Sequence, residues 1–562
     1  MPSNHPTSGI APDTSAPTLL TAALEAHRNG QLTQAETLYQ QTLAQAPQQA
    51  DALHYYGVLQ YQRGAYQAAA ALLDQALAIN PHAAECINNR GLIAAALGDP
   101  KAALQAYQTA AMLRPDYTDA WFNLAQALSR LKRFDEARAC YDTLLTLEPG
   151  SADACFSYGN LLNAAGDASG AIERFRQALA LQPDFTRAHV NLGSALGNGG
   201  AYQEAEHHYR QAVALDPAPA HLVCLGAALG MQGRHDEEEA FYQQALALDP
   251  EQADARQNLA WLYLKRGDYL RGWAEYAKRW RPADYSAITA DGIAKWQGEP
   301  LAGRRLLIVG EQGFGDHFQF LRFARQLEEH GAHVEACVRE PLLEIIQRTP
   351  GLKRAWSGPP RGHYDFWVSM MDLPFYLGTE LSSIPADIPY LFTDPEKIAA
   401  WQPRVEAAAR HKRARVGLAW QGSPAGLPSR MMPFATLAPL CEDTDIAWFS
   451  LQKGPARHQT DTVPASLRPI DFTDDLHNFA DTAALIMNLD LVLTIDTGIA
   501  HLAGALGKPV WIMLPVGADW RWLDQREDSP WYPTARLFRQ LAHDDWPAVI
   551  ARVREALRTT FP

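Results

Sequence analysis

The stretch Thr494–Trp511, TIDTGIAHLAGALGKPVW, decides how the C-terminal half of the chain folds. An apolar run, LDLVLTI, stops at Asp496-Thr497-Gly498, and a helix-like segment that contains His501 follows it. A second apolar run, PVWIMLP, begins shortly after the helix-like segment. Short apolar runs bounded by turn residues are typical of buried strands. The stretch therefore predicts a strand, a loop, a helix and a second strand.

The same alternation of apolar runs and helical segments occurs on both sides of a charged, helix-like link at residues 394–414. Before the link the candidate strands are RRLLIV, HVEACV and YDFWVSM, and after it they are RVGLAW, DIAWFSL, DLVLTID and PVWIMLP. Strands that alternate with helices form parallel sheets covered on both faces. We therefore expect two α/β lobes around a cleft, at residues 304–393 and 415–562, the second ending in a helix.

Length and composition indicate a multidomain soluble protein. The 562 residues exceed what one hydrophobic core supports, and a formal charge of -14 disfavours nonspecific binding to nucleic acid or anionic membranes. The six cysteines form no C-x-x-C pair, and no apolar run reaches the roughly 18 residues of a membrane helix. We expect a cytoplasmic protein with reduced thiols, no membrane span, no metal site and a disordered leader at residues 1–17.

Prolines recur at a fixed interval through the N-terminal half. They lie 34 residues apart, except for a last interval of 33, at Pro47, Pro81, Pro115, Pro149, Pro183, Pro217 and Pro250. Each proline follows a segment with helical apolar periodicity, such as AAALLDQALAINP, and tight turns such as ALGD and NAAGD lie between the prolines. The interval predicts stacked helical hairpins.

The repeated pattern A-x-x-x-L-G…G-x-[YF]-x-x-A…P resembles the tetratricopeptide repeat over residues 18–281. An eighth hairpin, at 253–280, lacks the proline. The resemblance implies an all-α solenoid, for which three repeats suffice to bury a continuous core. Residues 282–303 are then an irregular, aromatic connector to the α/β domain.

Polar residues recur two positions before the small residue of each first helix, and four of them are Asn89, Asn123, Asn191 and Asn258. In tetratricopeptide superhelices that face lines the concave groove, so these amides are candidates for binding the backbone of an extended peptide. The alternative is that they satisfy neighbouring helix ends or face water. A protein or peptide partner in the groove is the expectation from the architecture.

Two loops occupy the positions at which open parallel sheets bind ligands, beyond the carboxyl ends of strands and before helices. They are the loop from Gly310 to Asp316, GEQGFGD, and the turn from Asp496 to Gly498. We expect them to face each other across the cleft. The first loop is neither a G-x-G-x-x-G fingerprint nor a Walker A sequence, which disfavours a dinucleotide oxidoreductase or a P-loop NTPase.

Five stretches carry a second resemblance. They are GEQGFGDHFQFLRFA, VGLAWQGSP, FSLQKG, NFADTAALIMNLDLVLTIDTGIAHLAGALGKPVW and DWRWLDQREDSPWYPTARLFRQ. These stretches are similar to glycosyltransferase family 9, the ADP-heptose lipopolysaccharide heptosyltransferases. The resemblance covers residues 304–558 and implies a GT-B fold of two Rossmann-like lobes. It also implies an inverting, metal-independent reaction with an ADP- or other nucleotide-sugar as co-substrate and no further cofactor.

The resemblance implies that the second lobe binds the donor at the turn before the IAHLAGALG helix. A helix amino end offers N–H groups to a diphosphate, Gly498 permits close approach, and Thr497 adds a hydroxyl donor. Asp496 can orient the turn or bind ribose hydroxyls, and His501, one turn along the helix, can reach the donor phosphates. Asp and Thr are also ordinary helix caps.

Two cations are further candidates for the donor phosphates. Lys453 ends a strand in SLQKG, with a solvent-facing lysine as the alternative. Arg430 matches an arginine of the family's R-S-L-P segment, which reads RMMP here, so the serine is replaced by Met431.

Asp316 matches the family's general base, which deprotonates the acceptor hydroxyl. The alternatives are that Asp316 is only the cap of the HFQFLRFA helix, or that His317 beside it is the base. Gly313 and Gly315 belong to the same loop. The aromatic segment with Trp520, Trp522 and Trp531 either stacks on a nucleotide base or packs between the lobes; we assign none of its members singly.

The leading hypothesis is a glycosyltransferase that modifies Ser or Thr hydroxyls of a protein acceptor recruited by the repeats. A second hypothesis is transfer to a surface polysaccharide or lipid-linked glycan. A third is a non-catalytic repeat scaffold with a degenerate transferase domain, which the altered RMMP segment favours and the intact DTGIAHLAGALGKP segment disfavours.

Overall fold

The structure, a computed structural model, describes residues 15–279, 292–311, 313–358, 362–422 and 431–562. The chain divides into two compact units, Met1–Pro217 and Ala218–Pro562. The division falls within the repeats, so that the last four repeat helices share a unit with the α/β region. The two units are taken in turn.

The first unit contains helical hairpins, which confirms the all-α solenoid expected from the proline interval. Its helices are α1 Ala16–Arg28, α2 Leu32–Gln45, α3 Ala50–Gln62, α4 Tyr66–Ile79, α5 Ala84–Ala96, α6 Pro100–Leu113, α7 Thr118–Arg130, α8 Phe134–Leu147, α9 Ala152–Ala164, α10 Ala168–Leu181, α11 Thr186–Asn198 and α12 Tyr202–Leu215. Asn80, which precedes Pro81, leaves the helical conformation with ψ near 85° because proline disfavours the helical conformation for the residue before it.

The turn inside each hairpin needs a residue with positive φ. Gly64 and Gly98 supply it at φ 77° and 81°. Lys132 takes the same role at φ 57°, where the sequence has no glycine. Side chains other than glycine adopt this region at a cost, which explains why most of the turns use glycine.

Small residues let the two helices of a hairpin approach closely. A Cβ at Gly159 of α9 would lie 2.6 Å from Cε1 of Phe175 in α10, and a Cβ at Gly91 would lie 2.6 Å from Cε1 of Tyr107. The ring of Phe175 is 1% exposed, a burial that contributes about 1.5–3 kcal/mol. The recurrent small residue therefore creates the space that the partner aromatic ring fills.

The second unit begins with four more repeat helices, α13 Pro219–Gly230, α14 His235–Leu248, α15 Ala253–Arg266 and α16 Tyr269–Ala277. Two parallel sheets follow. Their strands are β1 Ala294–Lys295, β2 Arg305–Val309, β3 His333–Cys337, β4 Leu352–Trp356, β5 Phe366–Ser369, β6 Ala414–Ala419, β7 Ile446–Ser450, β8 Ile470–Asp471, β9 Leu491–Ile495, β10 Val510–Leu514 and β11 Ala535–Arg539. This architecture confirms the expected α/β class.

The five-stranded sheet has the order β1-β5-β2-β3-β4 and the six-stranded sheet the order β11-β10-β9-β6-β7-β8. Every pairing is parallel; for example, Val510 of β10 pairs with Val492 of β9. All residues of β9 and β10 are buried, as expected for strands with a helical layer on each face. The α-helices that accompany the strands are Phe314–Phe320, Phe323–Glu329, Leu343–Ile346, Leu373–Tyr376, Pro395–Ala408, Phe434–Leu437, Phe479–Met487, Gly498–Ala505 and Trp546–Thr560.

The α/β region differs in two respects from the sequence expectation. Strands β1, β4, β8 and β11 were not predicted, because two of them have only two residues and β4 is partly exposed and charged. The helix after β2 ends at Phe320, and a second helix starts at Phe323. Between them lies Arg322, which is 4% exposed and donates hydrogen bonds to the carbonyl oxygens of Pro385 and Trp531.

Helix α16 packs into the core of the α/β region. Trp273 is 1% exposed, and its ring meets the rings of Phe320 and Trp520 at 6.0 Å and 5.2 Å between centroids. Tyr269 accepts a 2.9 Å hydrogen bond from Nε1 of Trp531. The last repeat hairpin and the α/β region therefore share one hydrophobic core.

All six cysteines are free thiols, and four of them are buried. Burial raises the pKa of Cys86 to about 12 and that of Cys140 to about 11, so these thiols stay protonated at neutral pH. No helix in the part of the chain that the structure describes is both long and apolar enough to cross a membrane.

The first prediction concerns the close helix contact in the first unit. Gly159→Val should lower the free energy of unfolding by about 1–3 kcal/mol, because the new side chain overlaps the ring of Phe175. Gly150→Val is the matched control, since a Cβ at Gly150 meets no atom within 4 Å. Urea unfolding followed by circular dichroism measures both. Equal midpoints for the two variants would contradict the tight contact.

The second prediction concerns His235 of α14, which lies 2.8 Å from Oε2 of Glu238 and 3.2 Å from Oδ2 of Asp524. The carboxylates of Asp524 and Glu238 raise the pKa of His235 to about 9. The charged ring therefore stabilises the fold below pH 6.5, and this contribution disappears as the pH rises through about 9.

We expect the wild-type chain to lose up to about 3 kcal/mol more stability than His235→Gln between pH 6.5 and 9.5. Melting temperatures recorded across that range measure the difference. His330→Gln, at an exposed position, should keep the wild-type pH dependence. A His235→Gln profile parallel to that of the wild type would rule out this role for the ring.

Candidate functional site

A cavity of about 640 Å³ in the second unit brings together residues that follow strands of both sheets. Gly313–Asp316 follow β2, Ala419 and Gln421 lie at the end of β6, Lys453 follows β7, and Asp496–Gly498 follow β9. In the six-stranded sheet, the chain proceeds from β6 to one side and from β9 to the other. The cavity thus opens beyond the carboxyl ends of strands at a topological switch point, where α/β sheets bind ligands.

The two loops expected to face each other do so at very short range. A Cβ at Gly315 would lie 2.7 Å from Cδ2 of His501, and a Cβ at Gly498 would lie 3.6 Å from Cβ of Phe314. The Phe314–Phe320 helix therefore contacts the Gly498–Ala505 helix with only hydrogen atoms at the two glycines. A larger side chain at Gly315 would push the two helices, and the residues they carry, apart.

Thr497 caps the Gly498–Ala505 helix. Its Oγ1 accepts a 3.3 Å hydrogen bond from the N–H of Ile499 and lies 3.1 Å from Oγ1 of Thr494. Asp496, at the end of β9, is 6% exposed. All three residues of the Asp496–Gly498 turn line the cavity, so the positive end of the helix dipole points to it.

His501 is held by aromatic neighbours. Its Nδ1 lies 2.9 Å from the Tyr532 hydroxyl, its ring stacks on Trp522 at 5.2 Å, and its Nε2 lies 4.0 Å from Oδ1 of Asp496. Burial raises the pKa of Tyr532 well above its usual value, so the phenol keeps its proton. The sequence did not identify Tyr532 as the partner of His501; the only signal was its place in the aromatic segment near residue 531.

Asp316 is the third residue of the Phe314–Phe320 helix, where its side chain closes a capping box with Gly313, and it also lines the cavity. Its Oδ2 accepts a 3.1 Å hydrogen bond from the N–H of Gly313, and its Oδ1 pairs with Nη2 of Arg521 at 2.6 Å. Its side chain keeps 22% of its surface exposed and lines the cavity. The expectation that Asp316 could be the N-cap was wrong, because the helix begins two residues earlier and Gly313 is its N-cap. The role of Asp316 as a base stays a prediction.

Arg521 is a charged cavity residue that the sequence analysis missed. Its Nη1 pairs with Oδ1 of Asp519 at 2.9 Å, and its Nε donates to Oε1 of Gln319 at 2.8 Å. Burial disfavours the charged guanidinium, but the carboxylates of Asp519 and Asp316 outweigh that cost and raise the pKa of Arg521. The available signal was an arginine between two tryptophans, in DWRW.

His317 lies away from the cavity lining. Its side chain is fully buried, its Nδ1 bonds to the carbonyl oxygen of Gly313 at 2.8 Å, and its Nε2 faces Gly310. Burial lowers the pKa of His317, so the ring is neutral at pH 7. The structure therefore brings Asp316, and not its neighbour, to the cavity.

Lys453 lines the cavity, and its Nζ donates to the carbonyl oxygen of Leu476. Gln452, the residue before Lys453, links the ends of β6 and β7. Its Oε1 accepts hydrogen bonds from the N–H groups of Trp420 and Gln421 at 2.9 Å each. The sequence gave no indication of this clamp. Arg430 lies outside the residues that the structure describes.

The asparagine row makes contacts between neighbouring repeats. In the first unit the side-chain amides of Asn89, Asn123 and Asn191 hydrogen-bond to His54, Asn88 and Asn160, at 2.8, 3.0 and 2.7 Å. In the second unit Asn258 hydrogen-bonds to the Tyr242 hydroxyl. The first three bonds link consecutive first helices, whereas the bond of Asn258 reaches α14, the second helix of the preceding hairpin. All four asparagines remain partly exposed.

The aromatic segment after β10 packs in the core. Trp520, Trp522 and Trp531 are at most 3% exposed and lie outside the cavity lining. Among the described residues, no group of three or more His, Cys, Asp or Glu side chains is arranged to hold a metal ion.

Comparison with protein families finds similarities in both halves of the chain. Models described as tetratricopeptide repeats match residues 20–84, 94–155, 159–200, 191–253 and 241–274. A model described as glycosyltransferase family 9 (heptosyltransferase) matches residues 477–512, which include the Asp496–Gly498 turn and His501.

The curated relative FlbA of Caulobacter vibrioides is 27% identical over 329 residues, 53% of this chain and 54% of FlbA. The chain thus spans about half the length of that relative. Among solved structures, YrrB is described as a tetratricopeptide protein with an unusual peptide-binding site. It is 24% identical to this chain, with a TM-score of 0.28, and the match covers 32% of this chain and 91% of the YrrB chain. PilF of Pseudomonas aeruginosa is 20% identical, with a TM-score of 0.34 and coverage of 38% and 96%.

Each of these two structures covers less than half of this chain. The family matches, by contrast, fall on the two regions that the sequence patterns had separated. The chain therefore joins a tetratricopeptide-repeat array to a glycosyltransferase family 9-like domain.

Proposed function

We propose that this protein is an inverting glycosyltransferase of GT-B type that moves a sugar from a nucleotide-sugar to a Ser or Thr hydroxyl of a protein acceptor held by the repeats. One observation carries the proposal: the carboxylate of Asp316 and the amino end of the Gly498–Ala505 helix line the same 640 Å³ cavity. A volume of that size suits a ligand as large as a nucleotide-sugar.

The donor diphosphate is assigned to the amino end of the Gly498–Ala505 helix. The positive end of the helix dipole favours an anion there, and the Thr497 hydroxyl adds a polar group. Lys453 supplies a positive charge on the same cavity wall. These groups stabilise the negative charge that develops on the leaving nucleoside diphosphate, so the reaction needs no metal ion.

The acceptor is assigned to the side of the cavity formed by Asp316. The acceptor oxygen attacks the anomeric carbon, its proton passes to a carboxylate oxygen of Asp316, and the bond from the anomeric carbon to the phosphate oxygen breaks. Attack from the face opposite the leaving group inverts the anomeric configuration. Asp316 is preferred over His317 because the imidazole of His317 is fully buried and lies outside the cavity lining.

The repeats are assigned to acceptor recruitment. A solenoid surface that binds an extended peptide raises the local concentration of its hydroxyl groups at the cavity. The partly exposed row of Asn89, Asn123 and Asn191, on the first helices α5, α7 and α11, supports a peptide-binding face, and their amides also bond to neighbouring repeats.

The experiment that tests the function incubates the purified chain with ADP-, GDP-, UDP- and CMP-sugars and measures nucleotide release, with and without candidate polypeptides. Intact-mass comparison of proteins from wild-type and deletion strains identifies the sugar and the target together. Release stimulated by a polypeptide that gains a sugar mass supports the proposal. Release stimulated only by a glycan or lipid acceptor would favour the polysaccharide alternative, and no release would favour a non-catalytic scaffold.

The third prediction concerns the base. Asp316→Asn should lower kcat by about 10²–10⁴-fold while the donor dissociation constant changes less than about threefold, because only the proton acceptor is lost. Asp236→Asn, whose wild-type side chain is 99% exposed, is the matched control and should keep full activity. Stopped assays give kcat, and calorimetry with the active nucleotide-sugar gives affinity. A parallel loss of affinity and turnover would make Asp316 a structural cap only.

The fourth prediction concerns the contact between the two helices. Gly315→Ala should lower kcat/KM at least about tenfold, because the added Cβ displaces His501 from the cavity wall. Helix propensity works the other way, since Ala favours a helix by about 1 kcal/mol over Gly, so a general loss of stability is not the expected cause. Gly197→Ala, with its nearest atom at 3.8 Å, is the control. Unchanged kinetics in Gly315→Ala would show that the spacing is not needed.

A further inference from the structure

Arg521 presents each of its three guanidinium nitrogens to a different acceptor. Nη2 meets Oδ1 of Asp316 at 2.6 Å, Nη1 meets Oδ1 of Asp519 at 2.9 Å, and Nε meets Oε1 of Gln319 at 2.8 Å. Its side chain is 12% exposed. A planar guanidinium that is hydrogen-bonded at every nitrogen has one orientation. The guanidinium of Arg521 therefore fixes the orientation of the Asp316 carboxylate.

Aromatic rings flank the same guanidinium. Its central carbon lies 4.4 Å from the centroid of Trp520 and 6.0 Å from that of Phe320. Trp273 of helix α16 packs edge-on against both of these rings, at 5.2 Å and 6.0 Å with interplanar angles of 90° and 86°. The last repeat helix, α16, therefore packs against the two rings that contact the Arg521 guanidinium.

Arg279, two positions after the end of α16, contacts the loop from Gly310 to Asp316. Arg279 is 8% exposed; its Nη1 donates to Oδ1 of Asp372 at 2.8 Å, and its Nη2 pairs with Glu311. Glu311 begins the loop that leads to Asp316. Helix α16 thus contacts the segment that carries Arg521, and Arg279 just after it contacts the loop that leads to Asp316.

We propose that Arg521 is the positioning residue for the Asp316 carboxylate and that helix α16 holds it in place through Trp273. The eighth repeat hairpin is then part of the catalytic machinery as well as the end of the repeat array. The expected effect of Arg521 on turnover rests on the proposed function. The support of Arg521 by α16 rests on packing alone.

The arrangement has a chemical rationale in the proposed reaction. When the acceptor proton reaches Asp316, that carboxylate loses its charge and no longer balances Arg521. Asp519, at 2.9 Å from Nη1, continues to balance the guanidinium, so no buried cation is left unpaired. The carboxylate can therefore cycle between charged and neutral forms while Arg521 stays in position.

The kinetic test uses Arg521→Gly with guanidinium chloride at millimolar, non-denaturing concentrations. We expect kcat to fall about 100-fold while KM for the nucleotide-sugar changes less than about threefold, because the base is misplaced and the donor site is intact. Added guanidinium should restore at least a tenth of the lost rate, whereas Asp316→Asn should show no rescue. An equal rise in KM, or no rescue, would overturn the positioning role.

The structural test needs no activity. It compares the melting temperatures of Trp273→Leu, Arg521→Lys and the double variant of the full chain. If Trp273 holds Arg521, the double variant should lose clearly less than the sum of the two single losses. Trp546→Leu, at a tryptophan that is 5% exposed in a different core, is the matched partner and should combine additively with Arg521→Lys. Additive losses for Trp273 and Arg521 would overturn the support by α16.

The two tests separate this inference from the proposed function. If the wild-type chain releases nucleotide from no sugar donor, the proposed function fails, and with it the kinetic role of Arg521. The melting-temperature cycle still decides whether α16 holds Arg521, since its result does not depend on turnover. Should Arg521→Gly not fold, Arg521→Lys replaces it in the kinetic test, with a fall in kcat at unchanged KM expected and unchanged kcat contradicting the role.

Discussion

The direct contact between the Phe314–Phe320 and Gly498–Ala505 helices is the constraint on which the rest of the site depends. The two helices belong to different sheets, and they approach so closely at Gly315 that a methyl group would overlap the ring of His501. In a close-packed interior, a displacement of one helix shifts the residues packed against it, because few voids are available to absorb the movement. The contact therefore sets the distance between the carboxylate of Asp316 and the helix end capped by Thr497.

Around this contact the chain keeps a buried group of charges. Removing ions from water costs several kcal/mol each, and the cost is recovered only where every charged atom finds a partner with good geometry. Arg521 meets that condition with two carboxylates and one amide oxygen. Trp273 of the repeat helix α16 packs against Trp520 and Phe320, the two rings that contact this guanidinium. A repeat hairpin thus has the energetic role of a core element of the α/β region.

Local patterns in the sequence were sufficient for the architecture. The proline interval and the small residues at fixed positions predicted the hairpins, and apolar runs that ended before Gly310 and Asp496 predicted which loops would meet. Parallel strands all place their carboxyl ends at one edge of a sheet, so this part of the site followed from the alternation of strands and helices. The asparagine row was also visible in the sequence, but its bonds to His54, Asn88 and Asn160 were not.

The amino-acid sequence by itself determined the repeat array, the α/β class and the position of the Asp496–Gly498 turn, because each depends on residues close together in the chain. Only the tertiary structure decided that Arg521 reaches Asp316, 205 residues earlier in the chain, that His317 is fully buried, and that α16 joins the α/β core. Contacts between distant segments depend on how whole elements pack, and neighbouring residues carry no periodic signal of a partner two hundred positions away.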